Sequence, residues 1–167
     1  MPDLKAKLQT ALRGAERVAV LTVGSRLRGD DAVGLLTGDE LEKLPAPTGP
    51  GAARIAVFHG ETAPENLTGE IRKFRPTHLV LVDAADMGLA PGMTELIDLD
   101  AVGEEASFST HRMPVTVLLD YLHDATGCRS IIVGIQPASR AFSLTASAEM
   151  QQVARQVAQA IVEACAC

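Results

Sequence analysis

Two adjacent aspartates, Asp30 and Asp31, lie in the glycine-flanked stretch GSRLRGDDAVG at residues 24–34. A third, Asp83, ends the apolar run LVLVD, and His111 stands in STHRMP at 109–114. Carboxylates and an imidazole make a mixed oxygen and nitrogen donor set, which suits Zn²⁺, Ni²⁺ or Mn²⁺ better than Ca²⁺. Three protein ligands leave open positions for water or a substrate group, and a metal-bound water or polarised carbonyl can drive amide hydrolysis. Either carboxylate is also a candidate general base if its pKa rises in a crevice. Two carboxylates that converge repel unless a cation, a proton or a basic group sits between them. Asp83 is the hardest of these to read as structural, because an uncompensated carboxylate at the end of an apolar strand is costly. Asp30 is expected to cap the helix that follows. Asp31 is the ligand candidate of the pair, although an acid there also favours the helix dipole.

Other chemistries fit less well. Gly24 and Gly29 bracket four residues, without the Rossmann glycine spacing and without the Lys-Ser/Thr of a P-loop. No G-x-S-x-G motif is present and no histidine obviously partners a cysteine. His59, at a strand end beside the presumed crevice, is a second-rank candidate. His78 and His123 are expected to be structural or solvated. Arg26 and Arg28 are expected to be solvated, with contact to a substrate tail as the alternative. Cys128 reads as a small buried hydrophobe, and Cys165-Ala-Cys167 as a frayed tail with two thiols.

The elements that position these residues follow from periodicity. Leu4, Leu8 and Leu12 share one face of a short helix stopped by Gly14. ERVAVLTVG (16–24) and THLVLVDA (77–84) read as buried strands, with RIAVFHG (54–60) as a second strand and CRSIIVGIQP (128–137) as the last. TELIDL (94–99) is short and alternates, as an edge strand does. Residues 31–44, 64–74, 113–124 and 146–165 read as helices, and PAPTGPGA (45–52) as a mobile surface loop. Strands alternating with helices predict an α/β layered domain with a mostly parallel sheet. If the strand order begins 2-1-3, Asp31 and Asp83 face one crevice at the carboxyl ends of strands one and three.

Composition limits the partners. The chain has 167 residues, so one domain is expected, spanning 1–167 with residues 1–15 as an extra N-terminal helix. Such a domain buries roughly 70% of its extended-chain surface. A net charge of −6 argues against non-specific binding to nucleic acid or anionic membrane. Aromatic residues are 3% and Trp is absent, which disfavours a base-stacking surface. The opening residues lack the apolar stretch of a secretory signal. A cytoplasmic location with reduced cysteines is therefore expected. A monomer is favoured.

Taken together, GSRLRGDDAVG, HGETAPENL, LVLVDAADMGLAPG, STHRMP and VGIQP resemble the NiFe-hydrogenase maturation endopeptidases, most nearly those of the hydrogenase 3 type. The resemblance runs in order from about residue 18 to the last helix. It implies a three-layer α/β/α fold with a five-stranded mixed sheet of order 2-1-3-5-4, strand four antiparallel. It implies that Asp31, Asp83 and His111 bind nickel carried by the immature hydrogenase large subunit, with Asp31 and Asp83 as the catalytic acids. It also implies that the enzyme removes a short carboxyl-terminal extension from that subunit. The chain departs from the family pattern at Gly24-Ser25, where Gly-Asn is expected, and at His59-Gly60-Glu61, where Asp-Gly-Gly is expected. Two rival readings use the same residues: a non-catalytic nickel-sensing or chaperone module for the same precursor, and a flavin or nucleotide binder on a flavodoxin-like sheet.

Overall fold

The computed structural model describes residues 2–97, 107–108 and 114–166. Strands β1 (Arg17–Val23), β2 (Arg54–Glu61), β3 (His78–Asp86), β4 (Thr94–Ile97) and β5 (Arg129–Ile135) form a sheet of order 2-1-3-5-4. A two-residue strand, Ser107–Phe108, pairs antiparallel with the end of β3 at Ala85 and Asp86. The pairings β1–β2, β1–β3 and β3–β5 are parallel, and β4 runs antiparallel to β5. Helices α1 (Pro2–Ala11), α2 (Val33–Lys43), α3 (Thr68–Phe74), α4 (Val115–Thr126) and α5 (Ala148–Cys165) complete the domain.

The apolar runs become central strands because both of their faces are covered. Val18 and Val20 of β1 and Val80, Val82 and Ala84 of β3 pack into one core with α1, α2 and α5. Ala19, Leu21 and Val23, with Leu79 and Leu81, pack into a second core with α3 and α4. This period-two split puts successive side chains on opposite faces, as a pleated strand requires. Leu4, Leu8 and Leu12 are all buried in the core shared with α5. The first helix is thus anchored by its predicted face. Among the described residues no helix is long and apolar enough to cross a membrane.

The tail departs from expectation. Cys165 does not lie in a frayed end: it is buried on the last turn of α5, and its carbonyl accepts a hydrogen bond from Ala53 N at 2.8 Å. Burial pushes its thiol up to about 12, so it remains a protonated, unreactive side chain at neutral pH. Cys167 lies outside the described residues.

His78, at the start of β3, takes the structural one of its two expected roles: it is buried. Its Nδ1 lies 3.1 Å from Thr77 Oγ1. Burial, and secondarily the Arg129 cation, lower its pKa from the ordinary value. The unfolded chain therefore binds a proton more readily than the fold does. The stabilisation from keeping His78 neutral is fully present above about pH 6.5 and is lost as pH falls below it toward the depressed folded value. Thermal melts at neutral and mildly acidic pH should show a larger fall for the wild type than for His78→Gln. Equal falls would refute the assignment.

Candidate active site

The chain builds its crevice where β1 and β3 lie side by side and the chain leaves them toward opposite edges of the sheet, to β2 and to β4. β1 and β3 are in register up to Thr22 opposite Val82. Asp83 is the next residue of β3, fully buried. The chain leaving β1 turns at Gly24 and returns through a 3₁₀ turn, Gly29–Ala32, into α2. Gly24 has φ +148°, and a Cβ there would lie 2.2 Å from the Asp31 carbonyl oxygen. Only glycine permits that approach. A Cβ on Gly34 would lie 2.5 Å from both the Val23 and Val82 carbonyl oxygens. The first turn of α2 therefore sits directly on the seam between β1 and β3. The two glycines together bring the turn that carries Asp31 back over the neighbouring strands β1 and β3.

Asp31 is 2% exposed. Its Oδ2 accepts a hydrogen bond from Ser25 N at 3.1 Å, and its Oδ1 lies 3.6 Å from Arg140 Nε. Arg140 also donates from a guanidinium nitrogen to the Ala84 carbonyl at 3.4 Å. The loop after β5 thus supplies a cation to Asp31 and a donor to the backbone of β3 one residue beyond Asp83. That charge offsets part of the repulsion that two carboxylates in one crevice create. Periodicity and spacing gave no sign of Arg140, whose only local signal is a basic residue in a polar loop.

Asp30 does not cap its own helix, contrary to the expectation. Neither the 3₁₀ turn nor α2 has a side-chain cap. The Asp30 carboxylate instead accepts hydrogen bonds from Ser147 N at 2.8 Å and Ala138 N at 3.2 Å. It pins both ends of the loop that carries Arg140. Ser147 is itself the cap of α5, accepting from Met150 N. A buried carboxylate satisfies distant backbone donors here because that loop folds over the turn. The backbone pair Gly29 N to Ser143 O and Ser143 N to Leu27 O reinforces the same contact.

Gln136, buried in the VGIQP stretch, organises the other rim. Its Oε1 accepts from Met87 N at 2.7 Å and Leu89 N at 3.3 Å, and its Nε2 donates to Asp86 Oδ1. The loop after β3 is therefore held to the loop after β5 by one amide side chain.

The arginines of the first loop are engaged rather than solvated. Arg26 makes a two-pronged ion pair with Asp39 at 2.9 and 3.0 Å, and Arg28 Nε donates to the Arg140 carbonyl. That pairing is the main reason the Asp39 carboxyl stays below its ordinary range. His59 lies beside Thr22 and Glu42, with Nε2 3.3 Å from the Glu42 carboxylate. His59 sits near Asp39 and Glu42 rather than at the notch of β1 and β3. His123 is structural, its Nδ1 2.9 Å from the Cys128 carbonyl. Cys128 is buried, as expected. Glu61 has φ +52°. It adopts the left-handed conformation that the glycine of the family pattern takes freely, at a cost of about 1 kcal/mol. His111 lies outside the described residues. The structure thus sets Asp31 against Arg140, which also reaches the Ala84 carbonyl next in the chain to the buried Asp83, with Asp30 and Gln136 holding the loops around them.

Comparison with known proteins agrees with this architecture. The family model for hydrogenase maturation protease (HycI) matches residues 38–165, a range that takes in Asp83 and His111 and begins after Asp31. The hydrogenase 3 maturation protease of Escherichia coli K12 is 40% identical over 118 residues, 71% of each chain. The crystal structure of the NiFe-hydrogenase maturation protease HycI from Thermococcus kodakarensis superposes with a TM-score of 0.83 at 29% identity, covering 95% of this chain and 97% of that one. The solution structure of the endopeptidase HycI from E. coli gives a TM-score of 0.71 at 34% identity, covering 86% and 87%. The endopeptidase reading is supported over the non-catalytic chaperone module, and this chain belongs to the hydrogenase maturation protease family.

Proposed function

We propose that this chain removes a short carboxyl-terminal extension from the nickel-loaded precursor of a NiFe-hydrogenase large subunit, acting in the cytoplasm as a monomer. The observation that carries the reading is the pair of buried carboxylates, Asp31 and Asp83, at the adjoining ends of β1 and β3. A crevice with two acids and one neighbouring arginine has the donor chemistry to accept a divalent ion delivered with the substrate. With His111 they make a ligand set of two oxygens and one nitrogen. The nickel ion, carried by the precursor, docks the tail and polarises the amide to be cut. Asp83 is assigned as the base that takes a proton from the attacking water. The water oxygen bonds to the scissile carbonyl carbon, the C–N bond breaks, and the proton passes from Asp83 to the leaving amine. Asp31 is assigned as the second acid, and Arg140 holds the charge balance while the crevice waits for substrate. In this reading the protease is of the aspartyl type, assisted by its substrate's metal.

A precursor without nickel lacks the group that bridges the two proteins, so cleavage is gated by differential binding of loaded over empty precursor. One purified precursor, prepared metal-free and nickel-loaded and incubated without added metal, tests this by mass spectrometry. Only the loaded form should lose its carboxyl-terminal segment. Equal cutting of both forms would leave the acids as ordinary catalytic groups and remove nickel from the account.

A further inference from the structure

The end of the sheet opposite the crevice carries a groove of about 960 Å³. Arg13, Arg17, Arg72, Lys73, Arg75 and Arg129 line it, and no aspartate or glutamate does. This concentration of cations belongs to a chain whose net charge is −6. Arg17 lies 3.5 Å from Glu16. Among the described residues the other five enter no ion pair, Arg72 instead donating to the Tyr121 hydroxyl. Beneath them His78 is 5% exposed, and its Nε2 is buried with no hydrogen-bond partner.

Helix ends account for only part of this charge. α1, α3 and α4 all finish at this end, and cations favour helix carboxyl termini. Three such ends carry together about −1.5 of partial charge, against six formal positive charges. Most of the positive field is therefore available to an anion. The charges come from the ends of α1 and α3 and the starts of β1 and β5. Spread in this way, they match an anion whose charges are also distributed along a chain. Arginine forks pair well with carboxylates. No Phe, Tyr or Trp lines the groove and His78 is buried beneath it, which removes the stacking platform a nucleic acid would use.

We propose that this groove is an exosite that docks an acidic segment of the precursor polypeptide, away from the scissile bond. The proposal rests on the substrate reading above. His78 at the groove and Asp83 at the crevice are five residues apart on β3, so roughly 17 Å separates groove from crevice at the usual rise per residue. The groove therefore acts on association and leaves the chemistry alone, and its contribution is screened by salt.

The test pairs a binding arm with a kinetic arm. A fluorescently labelled oligoglutamate peptide, followed by anisotropy, should bind the full-length wild-type chain and not the triple variant Arg13→Gln, Lys73→Gln, Arg129→Gln. Binding should return in the variant Arg13→Lys, Arg129→Lys, which keeps the charge, and thermal melts verify that each variant is folded. With precursor as substrate at low salt, the triple variant should raise KM roughly tenfold with kcat unchanged. Added salt should bring the wild-type KM up to the variant's. Unchanged KM and absent peptide binding would overturn the exosite. Peptide binding with unchanged KM would overturn the precursor as its source. Tighter binding of an oligonucleotide or of tripolyphosphate than of the peptide would overturn the choice of a polypeptide. Failure of the wild type to cut the precursor would refute the substrate reading instead, while the anisotropy arm still decides whether the groove takes an acidic chain.

Discussion

Asp83→Asn should fold normally and cut nickel-loaded precursor at least about a thousandfold more slowly than the wild type, within the range a general base contributes. The side chain is fully buried in the carboxyl-terminal half of β3, three residues before its end and level with Gly134 on β5. Asparagine has nearly the same shape, so the packing of β3 between its neighbours survives. What disappears is the anionic charge that receives a proton or a cation. Removing one of two acids in a crevice also relieves repulsion, so the melting temperature should hold or rise. Melting curves and single-turnover cleavage followed by mass spectrometry check both halves. A variant that processes precursor at near wild-type rate would sink the assignment of Asp83. An unfolded variant would show that the carboxylate is part of the fold instead.

The second large effect separates the adjacent acids. Asp30→Ala should cost about 3 kcal/mol of stability, because it deprives Ala138 N and Ser147 N of a charged acceptor. A helix cap would cost nearer 1 kcal/mol. For a chain of this length the expected drop in Tm is roughly 10 °C. Asp31→Asn should retain most of the stability, since an amide oxygen can still accept from Ser25 N, and should lose cleavage. The two variants thus part along different axes, one in the melt and one in the assay. Asp30→Ala should also lower activity, because the loop it pins carries Arg140 to Asp31. The reverse pattern, a stable Asp30→Ala and an unstable but active Asp31→Asn, would exchange their roles.

What could be read from residues alone is what depends on local pattern. The apolar runs at 17–23, 78–86 and 129–135 became buried strands because both faces of each are covered. The short alternating segment at 94–97 became the antiparallel edge strand for the converse reason. Asp83 was visible because a carboxylate closing an apolar strand needs compensation wherever the strand lies. The strand order 2-1-3-5-4 came from resemblance to a family, and the pairing register bears it out.

Tertiary structure alone decided the rest, because those contacts join segments far apart in the chain. Asp30 meets its two donors 108 and 117 residues away, and nothing in the local pattern around it distinguishes that from a cap. Arg140 became the neighbour of Asp31 only when its loop folded across the first turn. Cys165 was buried by packing of α5 that a chain terminus does not reveal. The basic groove exists because parallel strands begin, and three helices end, at one side of the sheet. Periodicity records which face of an element is apolar. Which distant polar groups then satisfy one another is settled by how the layers stack.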